Sequence, residues 1–236
     1  MTDAAHRLRG IVLFLIALLL FAALDATAKY LSAVFAVPLL VWARYMVHCV
    51  FMLATVAPSL GRELVVTRHP WQLTVRALLL VGVTLFGQLA LKTMPLAETT
   101  ALVFVTPLLV ALLASPMLGE RVSRRAWLAT LAGFAGVLLI ARPGGAMSGS
   151  GVIYALGAAL CYALYQIMTR QLAASEHPLR LLFTTALGGT VAMSFALFTH
   201  WDGTLPTASQ AVLIASLGLY GGVGHFLLIR AFREAP

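Results

Sequence analysis

Eight apolar stretches follow one another along the chain, each separated from the next by a short polar or turn-forming segment. They fall at about 10–31, 38–57, 71–93, 97–118, 125–141, 151–171, 178–199 and 210–231. Each approaches the ~20 residues that a helix needs to cross a hydrocarbon core of about 30 Å. None has the polar–apolar alternation of a membrane barrel strand. Turn residues stand where spans should end: Pro58-Ser59 with Gly61, Arg142-Pro143-Gly144-Gly145, and Asp202-Gly203 with Pro206. The pattern predicts an all-α integral membrane protein with eight transmembrane helices.

Composition sharpens this. Of 236 residues, 61% are hydrophobic and only 10% charged, with a mean hydropathy of +0.96. A soluble domain carries roughly 25% charged residues, so a water-soluble globule is excluded. The net charge of +8 would suggest nucleic acid in a soluble protein. Here the basic residues sit between apolar runs, where they set membrane orientation. With a cytoplasmic N-terminus, twelve fall inside: Arg7, Arg9, Arg62, Arg68, Arg76, Arg121, Arg124, Arg125, Arg170, Arg180, Arg230 and Arg233. Only Lys29, Lys92 and Arg142 fall outside, and Arg44 lies within a span. A multi-pass inner (plasma) membrane protein with both termini inside is predicted, its partner the lipid bilayer and not nucleic acid. Cys49 and Cys161 both lie in apolar runs and offer no disulfide framework or zinc spacing.

The N-terminus has a competing reading. Arg7 and Arg9, the apolar stretch Ile11 to Leu24 and Ala26-Thr27-Ala28 resemble a signal peptide with its cleavage site. A retained first helix is simpler, because removing it upsets the charge asymmetry.

The second half echoes the first. Ala28-Lys29-Tyr30-Leu31 matches Thr169-Arg170-Gln171-Leu172, Val37-Pro38-Leu39 matches His177-Pro178-Leu179, and Gly87-Gln88-Leu89 matches Gly224-His225-Phe226, at offsets of 137 to 141 residues. Residues 1–141 form one repeat of five spans and 150–236 a second. An odd span count inverts the second copy, and Lys29 outside against Arg170 inside agrees. Inverted repeats recur in secondary transporters, with the binding site near the midplane between the halves. The second repeat stops at Pro236, near the position corresponding to Glu98, so about 43 residues, or two helices, have no counterpart. The expectation is either a fragment of a ten-helix protein or an eight-helix variant.

With these motifs assembled, the chain resembles the drug/metabolite transporter superfamily, in its EamA-like branch. The residues that carry the resemblance are Leu118-Gly119-Glu120-Arg121-Val122-Ser123, Trp42-Ala43-Arg44 and Pro95-Leu96-Ala97-Glu98, together with Thr106-Pro107-Leu108 and Gly133 with Gly136. The resemblance covers essentially the whole chain. It implies ten helices in two inverted five-helix repeats and transport of small organic solutes. It also gives Glu120 weight.

Ionisable residues inside a span are costly and usually face a cavity or a partner. Asp25 and Lys29 share a face of helix 1, either as a charged pair on a solute pathway or as a helix-end pair with Lys29 reaching the headgroups. Arg44 lies about two turns inside its span and cannot lose its charge. It is a candidate to hold an anionic group by a bidentate fork, or a structural partner of Asp25. His48, four residues on, is a proton relay or a packing histidine. Gln88 and His225 occupy matching places in the two repeats and either line a cavity or bond between helices. Tyr162 and Gln166 share a face of span 6, with Gln166 aligned to Asp25. Trp42 sits beside Arg44, whereas Trp71, Trp127 and Trp201 look like interfacial anchors. Glu120 pairs with Arg124 or Arg125 to fix the turn after span 4, a structural or gating role. Pro107 and Pro116 are expected to kink span 4. Gly218 and Gly222 form a small-residue face, read as packing within the monomer in preference to a homodimer contact.

No Gly-rich phosphate loop, His-Glu-x-x-His helix or Gly-x-Ser-x-Gly elbow occurs, so ATP drive and enzyme activity are not expected. No cofactor or metal is implied. The expected function is a secondary transporter, an exporter, of small metabolites, amino acids or amphipathic compounds. Alternating access would be coupled to protons through Asp25 or His48. The alternative is a non-transporting membrane scaffold or truncated pseudo-transporter, with Leu and Phe filling the space that a transporter keeps polar.

Overall fold

A computed structural model describes residues 3–119, 123–141, 148–173, 175–201 and 203–234. Apart from one 3-10 turn at Gly61–Leu64, the elements are α-helices. They are α1 (Asp3–Leu31), α2 (Val37–Thr55), α3 (Ala57–Leu60), α4 (Pro70–Thr93), α5 (Leu96–Val103), α6 (Thr106–Leu118), α7 (Arg124–Ala141), α8 (Gly149–Leu172), α9 (Pro178–His200) and α10 (Ala208–Glu234). Pro38, Pro70 and Pro178 stand in the opening positions of their helices, where the missing N–H costs nothing. Gly119 closes α6 in the left-handed conformation (φ 70°), and its N–H returns to the Ser115 carbonyl.

Among the described residues, seven helical segments are long and apolar enough to cross a membrane. They match all the expected spans except the fifth. That position forms α7, an 18-residue helix. Phe198 is 92% exposed, Leu139 76% and Leu19 70%. Exposed apolar side chains of this kind suit lipid, and helices satisfy their own backbone there. The chain is an all-α integral membrane protein.

Span 4 is interrupted. The chain leaves the helical path at Phe104–Val105, and α6 begins just before Pro107. Pro107 has no N–H to give the Val103 carbonyl, and the Thr106 hydroxyl takes that carbonyl instead at 2.7 Å. Pro107 therefore opens a new helix segment and does not bend a continuous one. Pro116 lies inside the last part of α6.

The chain divides into two compact units. Residues 1–66 and 178–236 form unit 1, and residues 67–177 form unit 2. Each unit takes helices from both sequence repeats. In unit 1, α10 packs on α1 and α2, and α2 also packs on α9. Its core joins Phe35, Leu40 and Ala43 to Ile214 and Leu217, and Met52 and Leu64 to Leu182 and Phe183. In unit 2, α8 is the central helix against α4, α5 and α6, with α7 on α5 and α6. From Gly151 to Ala163 the buried positions of α8 are small residues, namely Gly151, Ala155, Ala158, Ala159 and Ala163, and Tyr165, Ile167 and Leu172 follow. Small residues let helix backbones approach closely where no hydrophobic effect drives them together.

Candidate functional site

In unit 1 the site is built on a helix face that lacks side chains. Gly218, Gly221, Gly222 and Gly224 recur along α10. A Cβ on Gly218 would lie 2.5 Å from Val47 Cβ and 2.8 Å from the Arg44 carbonyl oxygen. One on Gly222 would lie 2.8 Å from the His48 ring, and one on Gly224 2.8 Å from the Phe21 ring. One on Gly221 would lie 3.3 Å from both Arg44 Nε and Leu24 Cδ1. The glycines are thus the floor on which Arg44 and His48 of α2 rest, and they do pack within the monomer.

Arg44 is half-buried, with its guanidinium 6.0 Å from the Tyr45 ring centroid. Among the described residues no acceptor takes a hydrogen bond from that guanidinium. Its charge acts on both Asp25 and His48. Asp25 is on the exposed side of α1, and Lys29, one turn on, is half-buried. His48 is buried, and its Nε2 has no hydrogen-bond partner. His225 is half-buried and meets Phe21 edge-on at 5.0 Å. Unit 1 therefore gathers Arg44, His48 and His225 at one glycine face, with Asp25 in the field of Arg44. A permanent cation with unused donors beside an imidazole suits a carboxylate or other anionic group.

Trp42 lies on the same helix and donates to Ser194 Oγ at 3.0 Å. It lines an apolar pocket of about 220 Å³ with Leu39, Met46, Trp201, Pro206 and Ile214. Trp201 thus lines a pocket as well as being exposed.

The remaining expected site residues belong to unit 2. Gln88 is buried, and both its amide oxygen and its nitrogen lack partners. Tyr162 is half-buried and stacks on Tyr165 at 6.1 Å, whereas Gln166, one turn on, is exposed. Arg124 is exposed at the start of α7, where Ser123 Oγ accepts from the Ala126 N–H. Glu120 and Arg121 lie outside the described residues, so the expected Glu120–Arg124 pairing does too. Among the described residues, no group of three or more His, Cys, Asp or Glu is placed to hold a metal ion.

Three features were missed by sequence reasoning. Arg76, counted there as an inner-loop charge, is 2% exposed within α4. Its Nε donates to Thr169 Oγ1 and its Nη2 to Tyr165 Oη, both at 2.7 Å, and its guanidinium lies 4.4 Å over the Tyr165 ring. The signal was its place six residues into a span that opens at Pro70. Glu176, in the α8–α9 loop, is buried; it accepts from Thr67 Oγ1 at 2.5 Å and pairs with His69 Nδ1 at 3.2 Å. Nothing in its local sequence marks a loop carboxylate as buried. Glu98 was seen as part of a motif, but its 8% exposure was not anticipated.

Comparison with known proteins follows the same line. The model of the EamA-like transporter family matches residues 8–142 and 149–236. The S-adenosylmethionine uptake transporter of Rickettsia bellii is 26% identical over 94% of this chain and 76% of its own length. The riboflavin transporter of Rhizobium johnstonii is 30% identical over 75% of this chain and 58% of its own. That of Vibrio cholerae is 27% identical over 98% and 78%. A crystal structure at 18% identity superposes with a TM-score of 0.73, covering 100% of this chain and 81% of the other, which speaks for the fold. Family and relatives are transporters, not enzymes. The family match spans nearly the whole sequence, and the chain belongs to the EamA-like transporter family.

Proposed function

We propose that this chain is a secondary carrier of the bacterial inner membrane, working by alternating access on a small polar metabolite. The observation that carries the reading is Arg44, a permanent cation inside a span with unused donors over the bare glycine face of α10. An intramembrane charge is costly to keep, and it marks a solute path by default. Arg44 holds an anionic group of the solute. His48 and Asp25, both in its field, are the groups through which proton coupling would act in unit 1.

The relatives' names favour a particular solute class. S-adenosylmethionine and riboflavin each combine a planar nitrogen heterocycle with polar substituents. The reading for this chain is a solute of that kind, with the apolar pocket that Trp42 lines, on another face of α2 from Arg44, offered to its ring. The relatives named for uptake favour import, against the export expected from the sequence. The orientation proposed has both termini in the cytoplasm; moving Arg76 out of the loop tally leaves eleven basic residues inside against three outside.

The test is solute uptake by the chain reconstituted in liposomes, using labelled S-adenosylmethionine, riboflavin and amino acids. Wild type accumulates at least one, Arg44→Ala reduces the rate by ten-fold or more, and Arg44→Lys restores only part. Equal rates for wild type and Arg44→Ala would sink the role of Arg44. Preloading on one side and then the other gives the direction.

A further inference from the structure

The chain passes from one unit to the other twice, after Val66 and after His177. Each crossing is tied to the other on both of its sides. In unit 2, Glu176 is only 4% exposed although it lies in a loop. Its Oε1 accepts from the Thr67 hydroxyl at 2.5 Å and lies 3.2 Å from His69 Nδ1. The Thr67 hydroxyl oxygen also accepts from the His69 N–H at 3.0 Å, so the segment folds around that carboxylate. In unit 1, Arg180 Nε donates to the Glu63 carbonyl at 2.6 Å. Beside that bond Leu60, Leu64, Leu179, Leu182 and Phe183 share one apolar cluster.

The two ties share a register. Glu63 meets Arg180 and Thr67 meets Glu176, so four residues forward on one segment are four residues back on the other. The segments run antiparallel, and each tie lies wholly inside one unit. Between the ties stand only residues 64–66 and 177–179. Leu64 and Leu179 are held in the cluster of unit 1. That leaves Val65 and Val66, both 62% exposed, opposite the exposed His177. The ring of Pro178 fixes its own φ and restricts His177 before it.

A buried carboxylate is costly unless its bonds are made. The bonds that Glu176 takes from Thr67 and His69 join segments more than 100 residues apart in sequence. Two untied connectors would bend independently, leaving a unit free to slide and twist as well as tilt. Tied on both sides, the crossings bend together, and rotation about one short axis remains. Hinges are made this way, with a few loop residues absorbing the backbone change between packed elements.

We propose that Val65, Val66 and His177, framed by the Glu63–Arg180 tie and the Glu176 clasp on Thr67 and His69, form a single hinge on which the two units turn. Glu176 keeps the crossings together through the motion. The use of the hinge in transport rests on the carrier reading, because alternating access needs such a turn; its existence does not.

The experiment measures spin-label distances by electron double resonance, on the full chain in lipid nanodiscs with no solute. The labels sit on Ile153→Cys of α8 and Phe198→Cys of α9, in a background of Cys49→Ala and Cys161→Ala. Ile153 is 71% exposed and Phe198 92%. Each lies about 30 Å along its own helix from the clasp, which magnifies any turn. With the clasp intact the distance peaks are narrow. Glu176→Ala broadens them by about two-fold or more, and Glu176→Gln, which keeps an acceptor oxygen, broadens them less. Thr67→Val, which spares the carboxylate, is the second variant and broadens them too. Tyr165→Phe is the control for general loosening, since it removes a bond of Arg76 inside unit 2 but leaves the clasp alone; its peaks stay narrow. Wild-type widths in both Glu176→Ala and Thr67→Val overturn the hinge, and so does a Tyr165→Phe distribution as broad as theirs. In liposomes, Glu176→Ala should lower the maximal uptake rate and leave the half-saturating concentration unchanged; the opposite split overturns the part of the hinge in transport. Absence of uptake by the wild type would sink the carrier reading and leave the peak widths to judge the hinge.

Discussion

Gly218→Ala is the sharpest small perturbation available in unit 1. The added methyl carbon would lie 2.5 Å from Val47 Cβ and 2.8 Å from the Arg44 carbonyl oxygen. Carbon contacts are optimal at about 3.5–4.0 Å, so the shortfall against Val47 is roughly 1 Å or more. Neither neighbour is the free end of a flexible chain. The Val47 atom is fixed to its backbone and the Arg44 atom is backbone, so α2 and α10 must separate. Overpacking of this kind costs about 1–3 kcal/mol. The same separation lifts Arg44 off Gly221, and misplacement of about 1 Å can reduce rates ~100-fold. Gly87→Ala is the control, because nothing lies within 4 Å of its added carbon. Replacing a glycine inside a helix with alanine there is neutral or gains about 0.5–1 kcal/mol. The assay is the thermal midpoint of the detergent-solubilised protein beside solute uptake in liposomes. Gly218→Ala should lower both, and Gly87→Ala should lower neither. Equal midpoints and rates for the two variants would refute the glycine-floor argument.

Other outcomes follow from the same contacts. Tyr165→Phe removes the acceptor of Arg76 Nη2 inside unit 2 and should cost about 1.5–3 kcal/mol, read as a lower thermal midpoint; an unchanged midpoint contradicts the account of Arg76. Glu176→Gln weakens the bonds from Thr67 and His69 and should lower the midpoint by about 1–2 kcal/mol equivalent, measured by the same melt. Trp42→Phe loses the bond to Ser194 but keeps an aromatic wall, so uptake should persist with weaker apparent affinity in a concentration series. In intact cells, a membrane-impermeant maleimide should label a cysteine placed at Gly203 and spare one at Arg62; the reverse pattern inverts the orientation.

The helices were legible because length and apolar content decide membrane insertion almost alone. Even the break in span 4 has a local sign, since Pro107 follows Thr106 and the hydroxyl replaces the lost N–H. The Gly218 and Gly222 face was readable from spacing, as was the placement of Arg44 and His48 on one face of α2. Depth was harder. Arg76 follows Pro70 closely enough to resemble a loop charge, and only α8, with Tyr165 and Thr169, reveals it as interior. Glu98 looked like a motif position, because exposure depends on helices far away in sequence. Glu176 is invisible for the same reason: its burial and its bond to Thr67 join segments 109 residues apart.

The central claim is that a solute passes through a site held by Arg44. Uptake of labelled S-adenosylmethionine and riboflavin into liposomes carrying the wild-type chain or Arg44→Ala tests it most directly. The account predicts saturable uptake of at least one compound by the wild type, competed by the unlabelled compound and reduced ten-fold or more in folded Arg44→Ala. Saturable uptake at the wild-type rate in Arg44→Ala would contradict it.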